Sequence, residues 1–542
     1  MGYIRQIVEI KREMGVSLVV FEWESCAKHT GGNPQTSKYE GSRAVYGACS
    51  VNFAAKDWMV DGDSNRVPPA FDEAPRRYPG WVLLDSKAYF AHHENATTAQ
   101  ATAITGRTVK VTFCLADPPA LSHFCVHGPW FNREDYAAEP RVLSSEKDLV
   151  LLGFVFTSSL RSTGQDTLHP EYFVYRAGRG KLSLTSIPAT PLCTGDTLSA
   201  GIVPQDDIHD EGGFLLADLV ASTTLGHYEL SVFSSRTATW TTQTLQLHAS
   251  AGQIRLVTMF TVPHKVIALG RGMLGWVDLW RGIMACNILA EEPFVYFIPL
   301  PKPDFNLARK GDPKPVRDVA CFNGVIKLVE IDHFFRRELV TINHSKRFKV
   351  TRDLDSVDMI HHSEILLCAH EDFLGTSTDK IIYIPDGWKI RTCYMHIFSD
   401  VWCKGQVVHV DDILLNDPRN YMMLPQLWDG SARKFTSRIL TTAYPTLTIH
   451  GGDVIYLTSK VDYFDKNSLV VGVDLGKKTV EILKPYSAER AYHFKPAFFP
   501  CAFSEYLNTT PRQAYLLLLL LILISSNTNT PYCPPVTLHD DI

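Results

Sequence analysis

The chain has 542 residues, more than one hydrophobic core normally covers, so it is expected to be two to four packed units or one large body built of repeats. At 45% hydrophobic and 20% charged it has enough apolar surface for a core. Its formal net charge of −5, and a densest basic stretch (Arg309, Lys310, Lys314, Arg317) broken by Gly, Asp and Pro, argue against nucleic acid as a partner.

Residues 1–80 read as a variable segment, partly helical or disordered. Ile4, Ile7, Val8 and Met14 fall at helical spacing, and Gly31, Gly32 and Pro34 then break the pattern. The opening MGYIRQIVEIKREMG carries charges where a secretory signal needs an apolar stretch, so an intracellular, reducing setting, cytoplasmic or nuclear, is predicted. Gln6 stands where a myristoylation signal has Ser or Thr. In that setting the acceptor triplets at Asn95, Asn343 and Asn508 stay unmodified.

From Trp81 to Tyr486 the pattern is short apolar runs of period two, ended by Gly, Pro, Asp or Asn, which describes antiparallel sheet. In Tyr228–Trp240, Tyr228, Leu230 and Val232 share a strand face and Ser234–Thr237 can turn; Leu245 and Leu247 resume the alternation. Hairpins follow in the same way for Phe173–Pro188, reversing at Gly178 and Gly180, and for Ser468–Tyr486, reversing at Gly476. Reversals near Gly178, Ser235 and Gly282 recur at the spacing of propeller blades. The predicted fold is therefore mainly β and β-propeller-like, with about six or seven antiparallel blades over 81–510, preferred over a pair of β-sandwiches.

Ala514–Ile524 reads AYLLLLLLILI, followed by a polar tail, and 511–542 forms a terminal appendage. A membrane-spanning helix needs about 20 apolar residues, so this run argues for a buried helix or sticky end rather than an anchor. The 12 cysteines include no CxxC pair and are expected to be mostly buried small hydrophobes.

Several motifs carry possible chemistry. Gly270, Gly272 and Gly275 form a GxGxxG after an apolar strand, but the following WVDLWRGIMACNIL is strand-like, so a glycine-rich reversal is expected rather than a dinucleotide site. His123, Cys125 and His127 lie at i, i+2 and i+4, on one face of a strand, and are the candidate metal ligands; His92 or His93 could add a donor if the fold brought it close. His361, His362, Glu364, Cys368 and His370 form a second cluster without a ligand spacing. The carboxylates of Gln205–Gly213 read as a solvated connection between blades. Nucleophile-elbow, zincin and phosphate-loop signatures are absent from the sequence, no cofactor is implied, and no catalytic residue is nominated.

WVLLDSKAYF from Trp81, NATTA from Asn95, VTFCLADPPALSHFCVH from Val111, GWVDLWRGIMACNIL from Gly275 and CAFSEYLNTT from Cys501 together resemble the plant family called domain of unknown function 1618, expanded in grasses. The resemblance implies a shared fold and a named domain from about Gly275 to Trp428; it implies no activity, because the family has none established. Tyr228–Trp240 also resembles a blade of F-box-associated propellers, although residues 1–80 contain no recognisable F-box. The function expected is a protein-interaction or scaffold module with a protein partner. The alternatives are a hydrolase-like enzyme with a site in the central channel and a tail-anchored membrane adaptor.

Overall fold

The computed structural model describes residues 77–508 except 130–132, 160–165, 179–181, 191–197, 206–211, 249–256, 258–261, 304–311, 343–348, 354–378, 415–427, 430–433, 436–439, 461–466 and 488–497. Backbone alone is described at 158–159, 166–167, 335–342, 349–353, 379–385, 428–429, 434–435, 441, 467 and 481–487. The chain divides into Met1–Asp57 and Trp58–Ile542, and all described residues belong to the second unit.

Among the described residues six sheet units follow one another along the chain, five of them antiparallel and the first mixed, because β5 runs parallel to both β1 and β2. The first holds β1 (Val82–Asp85), β2 (Tyr89–Phe90), β3 (Ala99–Thr102), β4 (Thr108–Cys114) and β5 (Leu121–His127), together with the last strand, β29 (Phe498–Cys501). The second is β6 (Tyr136–Glu146), β7 (Leu149–Ser159), β8 (Asp166–Arg176) and β9 (Ser183–Pro188). The third is β10 (Gly201–Gln205), β11 (Gly213–Ala221), β12 (His227–Ser234) and β13 (Thr239–His248); the fourth is β14 (Lys265–Gly270), β15 (Met273–Asp278), β16 (Gly282–Asn287) and β17 (Val295–Pro299). These two are joined at their outer strands by a short parallel contact, Leu247 with Val295 and His248 with Tyr296. The fifth contains β18 (Arg317–Phe322), β19 (Val325–Ile342), β20 (Lys349–Asp353), β21 (Asp379–His396) and β22 (Cys403–His409). A small pair, β23 (Trp428–Asp429) with β24 (Lys434–Phe435), precedes the sixth, β25 (Thr441–Leu447), β26 (Val454–Lys460), β27 (Asn467–Asp474) and β28 (Thr479–Ser487).

Period-two alternation sends one half of each strand's side chains to the preceding sheet and the other half to the next, so the core is divided into seams. Val111, Phe113 and Phe124 of the first sheet meet Phe154 and Phe173 of the second. Tyr172 and Ile187 meet Ile202 and Phe233 of the third. Leu230 and Tyr228 meet Trp276 and Met284 of the fourth. Val277 and Ile283 meet Val319 and Met395 of the fifth. Val329 and Trp388 meet Ile455 and Val471 of the sixth. A smaller seam, Tyr456 and Val470 against Leu83, with Trp81 and Leu121 packed on it, returns from the sixth sheet to the first. The innermost strands β6, β10, β14, β18, β25 and β29 touch in the same circular order. Among the described residues the result is a closed propeller of six blades.

The ring is fastened by residues far apart in sequence. β1 and β29 are antiparallel, pairing Val82 with Cys501 and Asp85 with Phe498. Beyond them the Asn508 side chain accepts a hydrogen bond from Tyr78 N at 2.8 Å and donates one to Tyr78 O at 2.9 Å. Phe503, on the short helix α1 (Phe503–Tyr506), is fully buried against Phe113 and Tyr175.

All three predicted hairpins are present, as β8–β9, β12–β13 and β27–β28. Two readings change. The Gly282 reversal follows the second strand of its sheet, so the turn equivalent to those after β8 and β12 is 288–294. The acidic segment after Gln205 joins β10 to β11 within one sheet rather than linking blades; its residues 206–211 lie outside the described residues, as do the 361–370 cluster, Asn343 and the 514–524 run. Of seven described cysteines, five are buried, Cys321 is half-buried and Cys403 is exposed, and all seven are free thiols.

Candidate functional site

In this ring the turns between first and second strands, and between third and fourth strands, lie on one face, called the lower face below. Three of them build a cleft of about 450 Å³. Glu146 and Lys147 come from the β6–β7 turn, Arg236 from the β12–β13 turn, and Gly270 to Met273 from the β14–β15 turn. Val203, Ala268 and Met273 form an apolar floor, and Leu289, half of whose surface is exposed, forms one wall. Lys147, Arg236 and Arg271 are all exposed, while burial pushes the Glu146 carboxyl up. Three cations and one carboxyl thus converge from three consecutive blades of a chain whose net charge is −5.

The glycine motif explains part of this geometry. Arg271 and Gly272 have φ of 52° and 79°, the two left-handed positions of a tight hairpin turn whose twist matches that of the flanking strands. A Cβ on Gly272 would collide with Leu289. A strand, β15, follows the turn where a dinucleotide fold needs a helix, so the motif is a strand reversal whose turn presents Arg271 to the cleft.

On the other half of the lower face an aromatic ridge crosses three blades. Trp81 packs on His450 and Tyr456 with ring centroids 6.0 and 5.7 Å apart, and His450 packs on Phe322 at 6.5 Å. Phe322, Tyr394, Phe398 and Val401 of the fifth blade are exposed beside it.

The metal candidates separate into two groups. His123 and Cys125 gather with Cys114 of the neighbouring strand, whereas His127 gathers with His92 and Glu94. Glu94 is held by Lys110 at 2.6 Å and His127 at 3.3 Å, and its carboxyl is pulled below the usual range by the hydrogen bonds from Lys110 and His127. Burial, together with the His92 and Lys110 charges, holds His127 below the ordinary histidine value against the pull of Glu94. A hydrogen bond from the Cys114 thiol, with His123 and the His93 charge, favours the Cys125 thiolate over burial, and the Cys114 thiol is raised in return. Cys114 went unnoticed in the sequence because its partner strand is reached only through register.

Around the axis, carboxylates and cations neutralise one another: Lys87–Glu139 at 3.2 Å, Lys265–Asp318 at 2.7 Å and Arg317–Glu330 at 2.9 Å. Lys314 is solvent-exposed, yet surrounding protein and the nearby Arg141, Lys265 and Lys87 charges lower its ammonium against the pull of Asp312. A pair of carboxylates free to share acid and base roles is not among these contacts.

The six seams and the closed inner ring define a β-propeller. Residues 276–456 match the family described as "Protein of unknown function (DUF1618)", so that stretch is similar to members of that family. The match continues past Trp428, begins inside β15 and ends inside β26, so its limits follow sequence similarity and cut across blades. No curated protein matches the sequence. Among solved structures, an α-L-arabinanase of Penicillium chrysogenum complexed with arabinobiose is similar over 65% of this chain and 93% of its own, with 11% identity and a TM-score of 0.22, too low to transfer any residue or activity. Among the described residues no helix is long and apolar enough to cross a membrane.

Proposed function

We propose that the protein is an interaction module whose lower face holds an acidic peptide segment with a central hydrophobic residue, supplied by a partner protein. The observation that carries this reading is the convergence of Lys147, Arg236 and Arg271 from three blades around the apolar floor of Val203, Ala268 and Met273. Cations on turns braced by sheet attract a carboxylate-bearing chain and set its register, while the floor and Leu289 accept an aliphatic or aromatic side chain. The aromatic ridge of Trp81, His450, Phe322 and Phe398 extends the same face with rigid apolar groups of the kind that anchor interfaces.

The test is fluorescence anisotropy of the full chain against short peptides that vary net charge and one central hydrophobic residue. Acidic peptides with a hydrophobic centre are expected to bind best, with affinity falling as salt rises and dropping at least tenfold in the double variant Arg236→Glu, Arg271→Glu. Equal binding of basic peptides, or binding untouched by the double reversal, would overturn the proposal. Both substitutions are on exposed turns, so circular dichroism should show an intact fold.

A further inference from the structure

We propose that Cys114, His123 and Cys125 bind a zinc(II) ion on the first blade, on the sheet face turned away from the second blade. The argument begins with register. β4 and β5 are antiparallel, with Cys114 opposite His123 and Thr112 opposite Cys125, so the pleat puts Cys114, His123 and Cys125 on one face, two side by side and the third on the diagonal. Their sulfur and nitrogen atoms all lie within 4.8 Å of one another. Zinc–sulfur and zinc–nitrogen bonds of about 2.3 and 2.0 Å put the donors of a tetrahedral site roughly 3.3–3.8 Å apart, within a small side-chain adjustment of this arrangement.

The two faces of these strands differ in kind. Val109, Val111, Phe113, Phe124 and Val126 fill the seam toward the second blade with hydrocarbon alone. The opposite face carries two thiols and an imidazole, exposed by only 3, 0 and 2% at Cys114, Cys125 and His123. Placing three polarisable donors together, away from water, is the composition of a soft-metal site rather than of a hydrocarbon core. The imidazole is held in place: the Tyr89 ring packs on His123 with centroids 4.9 Å apart, and the Tyr89 hydroxyl donates to buried Asp85 at 3.2 Å. His127 is excluded because it belongs to the His92 and Glu94 group at the exposed end of the stripe.

Zinc is to be measured on the full chain by elemental analysis after exhaustive dialysis, and the metal-free chain reloaded with cobalt(II), whose absorption reports thiolate coordination. One zinc per chain is expected, with an intense thiolate-to-cobalt band that is weakened in Cys114→Ser and in Cys125→Ser and lost in the double variant. Zinc affinity should fall at least tenfold in His123→Gln and be unchanged in Cys403→Ser. A wild-type chain without stoichiometric zinc, a cobalt spectrum without the thiolate band, or a Cys114–Cys125 disulfide found by mass spectrometry would each overturn the site. Should a serine variant fail to fold, the wild-type cobalt spectrum decides the question by itself.

Discussion

Asp218 shows how a single residue can set a pH dependence. It is 1% exposed on β11, and its carboxylate accepts a hydrogen bond from Ser199 at 2.8 Å. Burial raises its pKa, and the Ser199 and Leu219 hydrogen bonds oppose this only in part. The folded state therefore holds the proton more tightly than the unfolded state does, and stability falls as pH rises from the unfolded carboxylate value of about 4 through the raised folded value. Above that window the cost is fully present. Asp218→Asn removes it, so the midpoint of thermal unfolding should decline less between pH 4 and 7 than in the unaltered protein, as read by scanning calorimetry. The motif residues in NATTA are structural at the same scale. The Asn95 oxygen accepts from Thr97 N at 2.7 Å, the Thr97 hydroxyl donates to Phe113 O at 2.8 Å, and the Tyr175 hydroxyl donates to Thr97 O at 2.8 Å. The sequence marked these positions but not their work, because the bonds to Phe113 and from Tyr175 span distances that only the folded strands close, while the Asn95–Thr97 bond is local.

Among the elements, the fifth sheet carries a row of charges across three strands. Arg317 of β18 is opposite Glu330 of β19, and Glu330 is opposite Arg391 of β21. The glutamate is bound at 2.9 Å to Arg317 and at 2.6 Å to Arg391, while Arg317 also donates to Leu279 O at 2.7 Å. Arg317 and Glu330 are 1 and 3% exposed. Removing one partner of such a group leaves a buried charge uncompensated, so Glu330→Gln is expected to cost about 3–5 kcal/mol in urea unfolding. The hairpins were legible because their turns are local chemistry: glycine or a polar residue between two alternating runs. Register between strands was not. Charges thirteen residues apart, like Arg317 and Glu330, or Cys114 and His123 nine apart, meet only when an intervening turn has a known length and shape. The cleft was invisible for a stronger reason, since its cations come from turns in three blades.

At the scale of the molecule, propeller architecture and a blade count of six or seven were legible from spacing, whereas the closure was not. No local pattern tells β29 to pair with β1 across more than 400 residues. Asn508 completes that closure with its two hydrogen bonds to Tyr78. Asn508→Ala deletes both, and a loss of about 1–3 kcal/mol is expected, with earlier proteolytic cutting near Tyr78 than elsewhere. The same closure sets a timetable for synthesis. At roughly 5–20 residues per second, β1 leaves the ribosome something like twenty to eighty seconds before its partner strand exists. Through that interval the nascent first blade shows an unpaired edge and the uncapped side of Phe113, a surface that holding chaperones recognise. Yield in a cell is thus tied to the pace at which the ribosome finishes the message as well as to the strength of the finished ring.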